Sequence, residues 1–209
     1  MHNNELIIKE QLHRSTIPIV VKPAIGESLI GYTLRLDYLN GFQARTLLKR
    51  FLAYKNSKDI FCLLNKKNVV EYVENNFNFE EFSSLVNLPD IYEKISMIYK
   101  LEKQFTINQY MANSFFLNTE FKICPICIQE WIIPKIFFVD KINMCSIHGV
   151  WLIDRCTCGK KITLYSIKES LLCSNIKCNK HFYELSSTID DRYPRHNFEM
   201  LSYYNFLLS

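Results

Sequence analysis

The sequence predicts a mainly α-helical fold with small, metal-stabilised β-containing modules: an N-terminal helix-turn-helix-like helical domain, then tandem ligand-bearing ribbons or fingers. Three observations predict it. Seven of the eight cysteines and one histidine fall between residues 124 and 178 in closely spaced pairs. The first half carries apolar residues at helical spacing, interrupted by an Asn-Gly pair. Between the cysteine pairs lie short apolar, β-rich runs instead of long helical ones.

The helical domain is expected over residues 1–118, with the helix-turn-helix-like unit at about 23–55. Pro23-Ala24-Ile25-Gly26-Glu27-Ser28 supplies turn residues and an early acid; Leu29, Thr33, Leu36 and Leu39 then recur at helical spacing. Asn40-Gly41 ends that helix, since both residues tolerate the left-handed conformation of a helix terminus. A second helix is expected from about Gln43 to Tyr54, burying Leu47, Leu48, Phe51 and Leu52 and exposing Arg45, Lys49 and Arg50. Two short helices around a tight glycine turn have the outline of a helix-turn-helix, which a generic helical bundle would also show. Amphipathic segments follow at about Lys58 to Leu64, Val69 to Asn75, Glu80 to Val86 and Pro89 to Leu101.

Residues 119–185 read as the metal-binding region. Cys124-Pro-Ile-Cys127 and Cys145-Ser-Ile-His148 each bring two ligands onto one turn, and seventeen residues separate the pairs. Cys156-Thr-Cys158 and Cys173 with Cys178 supply four more. Zinc takes thiolate sulfur and imidazole nitrogen four at a time in closed structural sites, so eight ligands make two ions. Consecutive pairing (124, 127, 145, 148 and 156, 158, 173, 178) needs the shorter loops; an interleaved order, with 124/127 and 156/158 on one ion, is the alternative. Ile136-Phe137-Phe138-Val139 and Ile162-Thr163-Leu164-Tyr165 are the β-rich runs. Residues 186–209 read as a helical tail with Phe198, Leu201, Tyr204 and Leu208 on one face, packed on its own domain or free to dock.

Other uses of the cysteines fit less well. The first twenty residues carry Glu5, Lys9, Glu10 and Arg14 and no long apolar run, unlike a signal peptide, so a reducing cytoplasm is expected and thiols there bind metal. A redox Cys-x-x-Cys explains Cys124 and Cys127 but none of the other pairs. A zinc deaminase needs a His-x-Glu or Cys-x-Glu before a Pro-Cys-x-x-Cys, and neither is present. Cys62, in Ile60-Phe61-Cys62-Leu63-Leu64, reads as a buried apolar thiol.

With 209 residues, 48% apolar and 14% aromatic, the chain can bury a real core, and no stretch approaches the roughly 20 apolar residues of a membrane span. The formal net charge is +4. Two divalent ions on seven thiolates bring it to about +1, which does not suggest a strong nucleic-acid binder. The distribution is uneven. Gln43 to Lys67 holds seven cations (Arg45, Lys49, Arg50, Lys55, Lys58, Lys66, Lys67) against Asp59, and Glu71 to Glu93 holds six anions and no Lys or Arg. The basic run could lie along phosphates or be a solvated helix face, and the acidic run would be repelled by phosphate. No Gly-rich phosphate loop, nucleophile elbow or paired carboxylate set points to catalysis.

Two stretches resemble one family. Pro23-x-x-Gly26-Glu27-Ser28-Leu29, with Arg35 and Asn40-Gly41, is similar to the N-terminal signature of the TniQ family of transposition-targeting proteins. Cys124-Pro-x-Cys127, Cys145-x-x-His148-Gly149 and Leu152-x-Asp154-x-Cys156-x-Cys158-Gly159 resemble its zinc region, in the same order. Where the family carries an aromatic and an arginine between the first two pairs, this chain has Trp131, Lys135, Phe137 and Phe138; lysine lacks the fork that grips a carboxylate or phosphate twice. The family's usual Cys-x-x-Cys is here Cys156-Thr-Cys158.

The resemblance implies a non-enzymatic adaptor for selecting insertion sites. It would link a target-recognition complex, either a CRISPR RNA-guided effector or a DNA site, to the AAA+ ATPase that regulates transposition. Guide pairing would then supply sequence specificity. Its ligands would be two structural zinc ions, and its partners the ATPase, the effector, the backbone of DNA or guide RNA through Arg45, Lys49, Arg50 and Lys55, and a second copy of the chain. The alternative is a zinc-containing helix-turn-helix regulator that recognises its own DNA site directly. Glu27 and Arg35 are eight residues apart, about two helical turns, and need not touch.

Overall fold

The computed structural model describes residues 17–52, 69–96, 121–138, 142–145, 147–163 and 171–185. Helix α1, Leu29–Leu39, starts where Ser28 accepts the Gly31 amide on its hydroxyl at 3.0 Å. It stops at Asn40, and Gly41 turns the chain at φ 66°. Helix α2, Thr46–Phe51, is shorter at both ends than the apolar pattern of 43–54 suggests. Arg45 takes a left-handed φ of 73°, which delays its start, and Leu52 is already extended and bridged to Phe77. Lys49 and Arg50 are half-buried instead of exposed, as is Arg45; the Arg50 guanidinium lies 5.2 Å from the centre of the Phe51 ring.

Helices α3 (Val69–Asn75), α4 (Phe79–Val86) and α5 (Ile91–Ile95) follow. Helix α4 is capped by Asn78, which accepts the Glu81 amide at 3.1 Å. Phe82 of α4 is the hub of the helical core: Tyr32, Phe51 and Phe77 set their rings against it at centroid distances of 6.0, 5.2 and 5.2 Å. The expected segment at 58–64, the whole of the basic run beyond Leu52, Cys62 and the C-terminal tail lie outside the described residues, as does the end of the segment at 89–101.

Beyond residue 120 the described chain holds one short helix, α6 (Pro125–Gln129), two 3₁₀ turns (Lys135–Phe138 and Phe182–Glu184) and isolated antiparallel bridges instead of extended strands. The run at 136–139 is therefore not a strand through Phe138. A strand would send Phe137 and Phe138 to opposite faces, whereas both are buried, and the turn satisfies both. In the run at 162–165, the described Ile162 and Thr163 are in no strand, and the rest lies outside.

The helical and cysteine-rich parts share one core. Glu27 bridges to Pro134; Ser28 donates its amide and its hydroxyl to the Ile133 carbonyl at 3.1 and 2.8 Å; and the Lys135 amide donates to Gly26 at 2.8 Å. Gly31 faces Ile133 so closely that a Cβ there would sit 2.6 Å from the Ile133 oxygen. Tyr38 stacks on Trp131 at 4.1 Å, and the fully buried Lys135 donates to the Lys94 carbonyl at 2.9 Å. Among the described residues no helix is long and apolar enough to cross a membrane.

Candidate metal centres

Each ligand pair sits on its own turn, closed by backbone hydrogen bonds. Cys124 caps α6: its backbone is extended, its sulfur accepts the Cys127 amide at 3.5 Å, and Pro125 takes the first helical position, where no amide is needed. Cys145 and His148 share a tighter turn in which Cys145 donates to the Val150 carbonyl and Gly149 to the Cys145 carbonyl, both at 2.8 Å. Gly149 has φ 63°, which glycine adopts without a Cβ penalty.

Cys124, Cys127, Cys145 and His148 converge with their ligand atoms within 4.8 Å of one another. His148 presents Nδ1, at 3.5, 3.2 and 3.6 Å from the sulfurs of Cys124, Cys127 and Cys145, and the Cys127 and Cys145 sulfurs are 3.6 Å apart. Zinc–sulfur bonds of about 2.3 Å and zinc–nitrogen bonds of about 2.0 Å give tetrahedron edges of about 3.8 Å (S to S) and 3.5 Å (S to N). The set fits a tetrahedral ion of that size.

Cys156, Cys158, Cys173 and Cys178 form the second set, again within 4.8 Å, with Cys156 3.5 Å from Cys178 and Cys158 3.6 Å from Cys173. The grouping is the consecutive one, not the interleaved one. Its two turns match each other despite unequal ligand gaps. Cys156 donates to the Lys160 carbonyl and Cys173 to the Lys180 carbonyl, each at 2.9 Å. The residue after the second ligand is left-handed in both, Gly159 at 82° and Asn179 at 49°. The next amides, of Lys160 and Lys180, reach the sulfurs of Cys158 and Cys178.

The sets differ in setting. In the first set all three cysteines are buried and His148 is half-buried; in the second Cys156 and Cys173 are buried, Cys178 is half-buried and Cys158 is exposed. In the first set the thiols share charge among themselves. Hydrogen bonding to Cys127 and Cys145 holds Cys124 down to about 2; Cys127 is pushed far up by its bond to Cys124, and Cys145 up to about 11 by its own bond to Cys124. A bound cation makes all three thiolates and so displaces protons. In the second set the Lys160 amide holds Cys158 down to about 6, and burial pushes Cys173 up to about 12.

Glu27 and Arg35 do touch. Glu27 stands outside α1, in the turn that Gly26 makes at φ 70°, so helical spacing does not separate them. Arg35 grips its carboxylate twice, at 2.8 and 2.5 Å, and the Ala24 amide donates to it at 2.8 Å. Burial raises the Glu27 carboxyl above its ordinary value although the Arg35 hydrogen bond and charge act the other way. Asp37 has a role that sequence reasoning missed. Fully buried on α1, it accepts the Leu47 amide at 3.0 Å and thereby caps α2 from the preceding helix. Burial pushes it up to about 7 against the amides of Leu47, Arg45 and Thr46 and the charge of Lys49. Its signal was an acid just before Tyr38-Leu39-Asn40-Gly41, eight to ten residues ahead of an uncapped helix start at Arg45 to Leu47. Of the residues expected to meet phosphate, Arg45, Lys49 and Arg50 are placed as above, and Lys55 lies outside the described residues.

No curated protein and no solved structure matches the chain. The TniQ family model matches residues 18–152, from the irregular segment ahead of α1 through the whole first ligand set. That span is more than half of the 209 residues and joins the Gly-Glu-Ser turn to the loop it is bonded to, so the chain belongs to the TniQ family, which is associated with target selection in transposition.

Proposed function

We propose that the chain is a non-catalytic adaptor of transposition target selection, joining a target-recognition complex to the AAA+ ATPase that regulates transposition. The recognition complex is a CRISPR RNA-guided effector or a DNA site. The family match over residues 18–152 carries this reading. The ions are zinc and their role is structural: each set provides four protein donors at tetrahedral spacing, which leaves no open position for a substrate. Cys124, Cys127, Cys145 and His148 hold the first, and Cys156, Cys158, Cys173 and Cys178 the second. The helix pair α1–α2 serves as a helix-turn-helix-like unit ahead of tandem zinc ribbons, and the chain works in the cytoplasm.

Asp37 fixing α2 against α1 is what favours the second reading, a zinc-containing helix-turn-helix regulator that binds its own DNA site. Reconstitution separates the two. Purified zinc-loaded protein is mixed with the ATPase, a guide-loaded effector and duplex DNA, and complex formation is measured with each partner left out in turn. The adaptor reading expects a complex that needs both the ATPase and the recognition complex. Nanomolar, sequence-selective binding to naked DNA without either partner sinks it in favour of the regulator.

A further inference from the structure

We propose that the outer rim of the second ligand set, formed by Lys160, Lys177 and Lys180 with Arg155, binds the phosphodiester backbone of nucleic acid. The sequence repeats Cys-x-Lys at this set, in Cys158-Gly159-Lys160 and Cys178-Asn179-Lys180. Both repeats have the same geometry: a left-handed middle residue, and a lysine whose carbonyl closes the turn onto the first ligand. In the first set the residue closing the corresponding turn is Val150, which is buried. The turn itself therefore does not require a lysine.

Arg155, Lys160, Lys177 and Lys180 are all exposed. Lys160, Lys177 and Lys180 have no ion pair among the described residues; Arg155 is paired with the half-exposed Asp154 at 3.6 Å and donates to the Gly159 carbonyl at 3.3 Å. Each lysine is within two residues of a ligand, and the four ligand sulfurs lie within 4.8 Å, so their backbones are held around one centre. Directly after Lys180, His181 stacks on the exposed Tyr183 at 4.7 Å and offers an aromatic face beside the cations. The other basic surface, at Arg45, Lys49 and Arg50, is half-buried, with Arg50 laid on Phe51. Among the described residues 154–163 and 171–185, the five cations Arg155, Lys160, Lys161, Lys177 and Lys180 face Asp154 and Glu184. The loaded tetrathiolate reduces that excess to about +1, so the contact is local, sequence-blind and salt-sensitive.

The inference rests on the second set holding its ion and not on any adaptor partner. Its test therefore uses only the zinc-loaded full chain and two probes, a short duplex DNA and a single-stranded RNA of equal length. Binding is followed by fluorescence anisotropy across a salt series. Three lysine contacts predict a slope of log Kobs against log salt of about −2.7 on the duplex and about −2.1 on the single strand. The combined variant Lys160→Ala, Lys177→Ala, Lys180→Ala, checked to keep two zinc ions, is expected to lose about tenfold or more in affinity at low salt and most of the slope. The Lys→Arg version of the same three positions restores both, Lys94→Ala on α5 changes neither, and Lys49→Ala with Arg50→Ala probes the rival basic surface. A preference for the single strand that disappears in Tyr183→Ala identifies an unpaired strand as the source of the phosphates; equal binding identifies the backbone alone. The proposal is overturned if the loaded protein binds neither probe, if the triple alanine variant keeps the wild-type slope, or if the loss follows Lys49 and Arg50 instead.

Discussion

In the first ligand set the turn after the second ligand is closed by Val150, which is 4% exposed; in the second the closing residues are Lys160 and Lys180, both exposed. The loop between the first set's two pairs is also the loop that carries Ile133 and Lys135 into the helical part. An ion there holds together a piece of the common core. The second set reaches the rest of the chain through the turn Phe182–Glu184, which packs on α6, and it lies past the last residue of the family match. The same kind of metal turn thus serves as a core element when its neighbours are apolar and as an outward-facing staple when they are basic.

Removing a ligand from each set tests this difference and has the largest expected effect. Cys127→Ser should cost on the order of 5 kcal/mol or more, enough to unfold α1 and α2 together with the metal site, as read by zinc content and thermal denaturation. Cys178→Ser should release one ion and shift the stability of the helical core by less than about 1 kcal/mol. Equal effects would erase the distinction.

The joint between the parts comes next. Glu27→Ala strands Arg35 in a largely buried position and is expected to cost about 3–5 kcal/mol in chemical denaturation. Gly31→Ala drives a methyl onto the Ile133 carbonyl and should cost about 1–3 kcal/mol. If Gly31→Ala is neutral, the helical part does not rest on the first set's loop.

The smallest effect is at Asp37. Its folded pKa of about 7 lies above the ordinary 3.8, so its contribution is complete only below about pH 3.8, falls as pH rises between the two values, and is gone once pH passes about 7. Asp37→Asn keeps the acceptor for the Leu47 amide and cannot ionise. Between pH 6 and 8 the wild type should lose about 1 kcal/mol relative to this variant, and the two curves should run parallel above that. Parallel stability curves between pH 6 and 8 as well would show that burial of Asp37 has no such consequence.

Much of this was legible beforehand. Ser28 and Asn40-Gly41 bounded α1 because caps are local chemistry, and the ligands grouped by sequence order because short loops favour it. The Glu27–Arg35 pair was not legible, since spacing rules apply within a helix and Glu27 stands just before one. Asp37 and Lys135 were hidden for a related reason: each is a buried polar residue whose partner, Leu47 or Lys94, is set by tertiary packing. The run at 136–139 looked like a strand because its apolar residues suit either structure, and only the need to bury Phe137 and Phe138 together selects a turn.

The most direct test withdraws the metal from the full chain with increasing chelator, while zinc release is followed colorimetrically and amide exchange reports on α1, α2 and both ligand turns. The account predicts two ions per chain leaving in two steps. The first should deprotect only the second set's ligand turns, at residues 156–160 and 173–180, and the second should coincide with loss of protection in α1 and α2. One ion per chain, a single step, or helices that stay protected after the second ion leaves would contradict it.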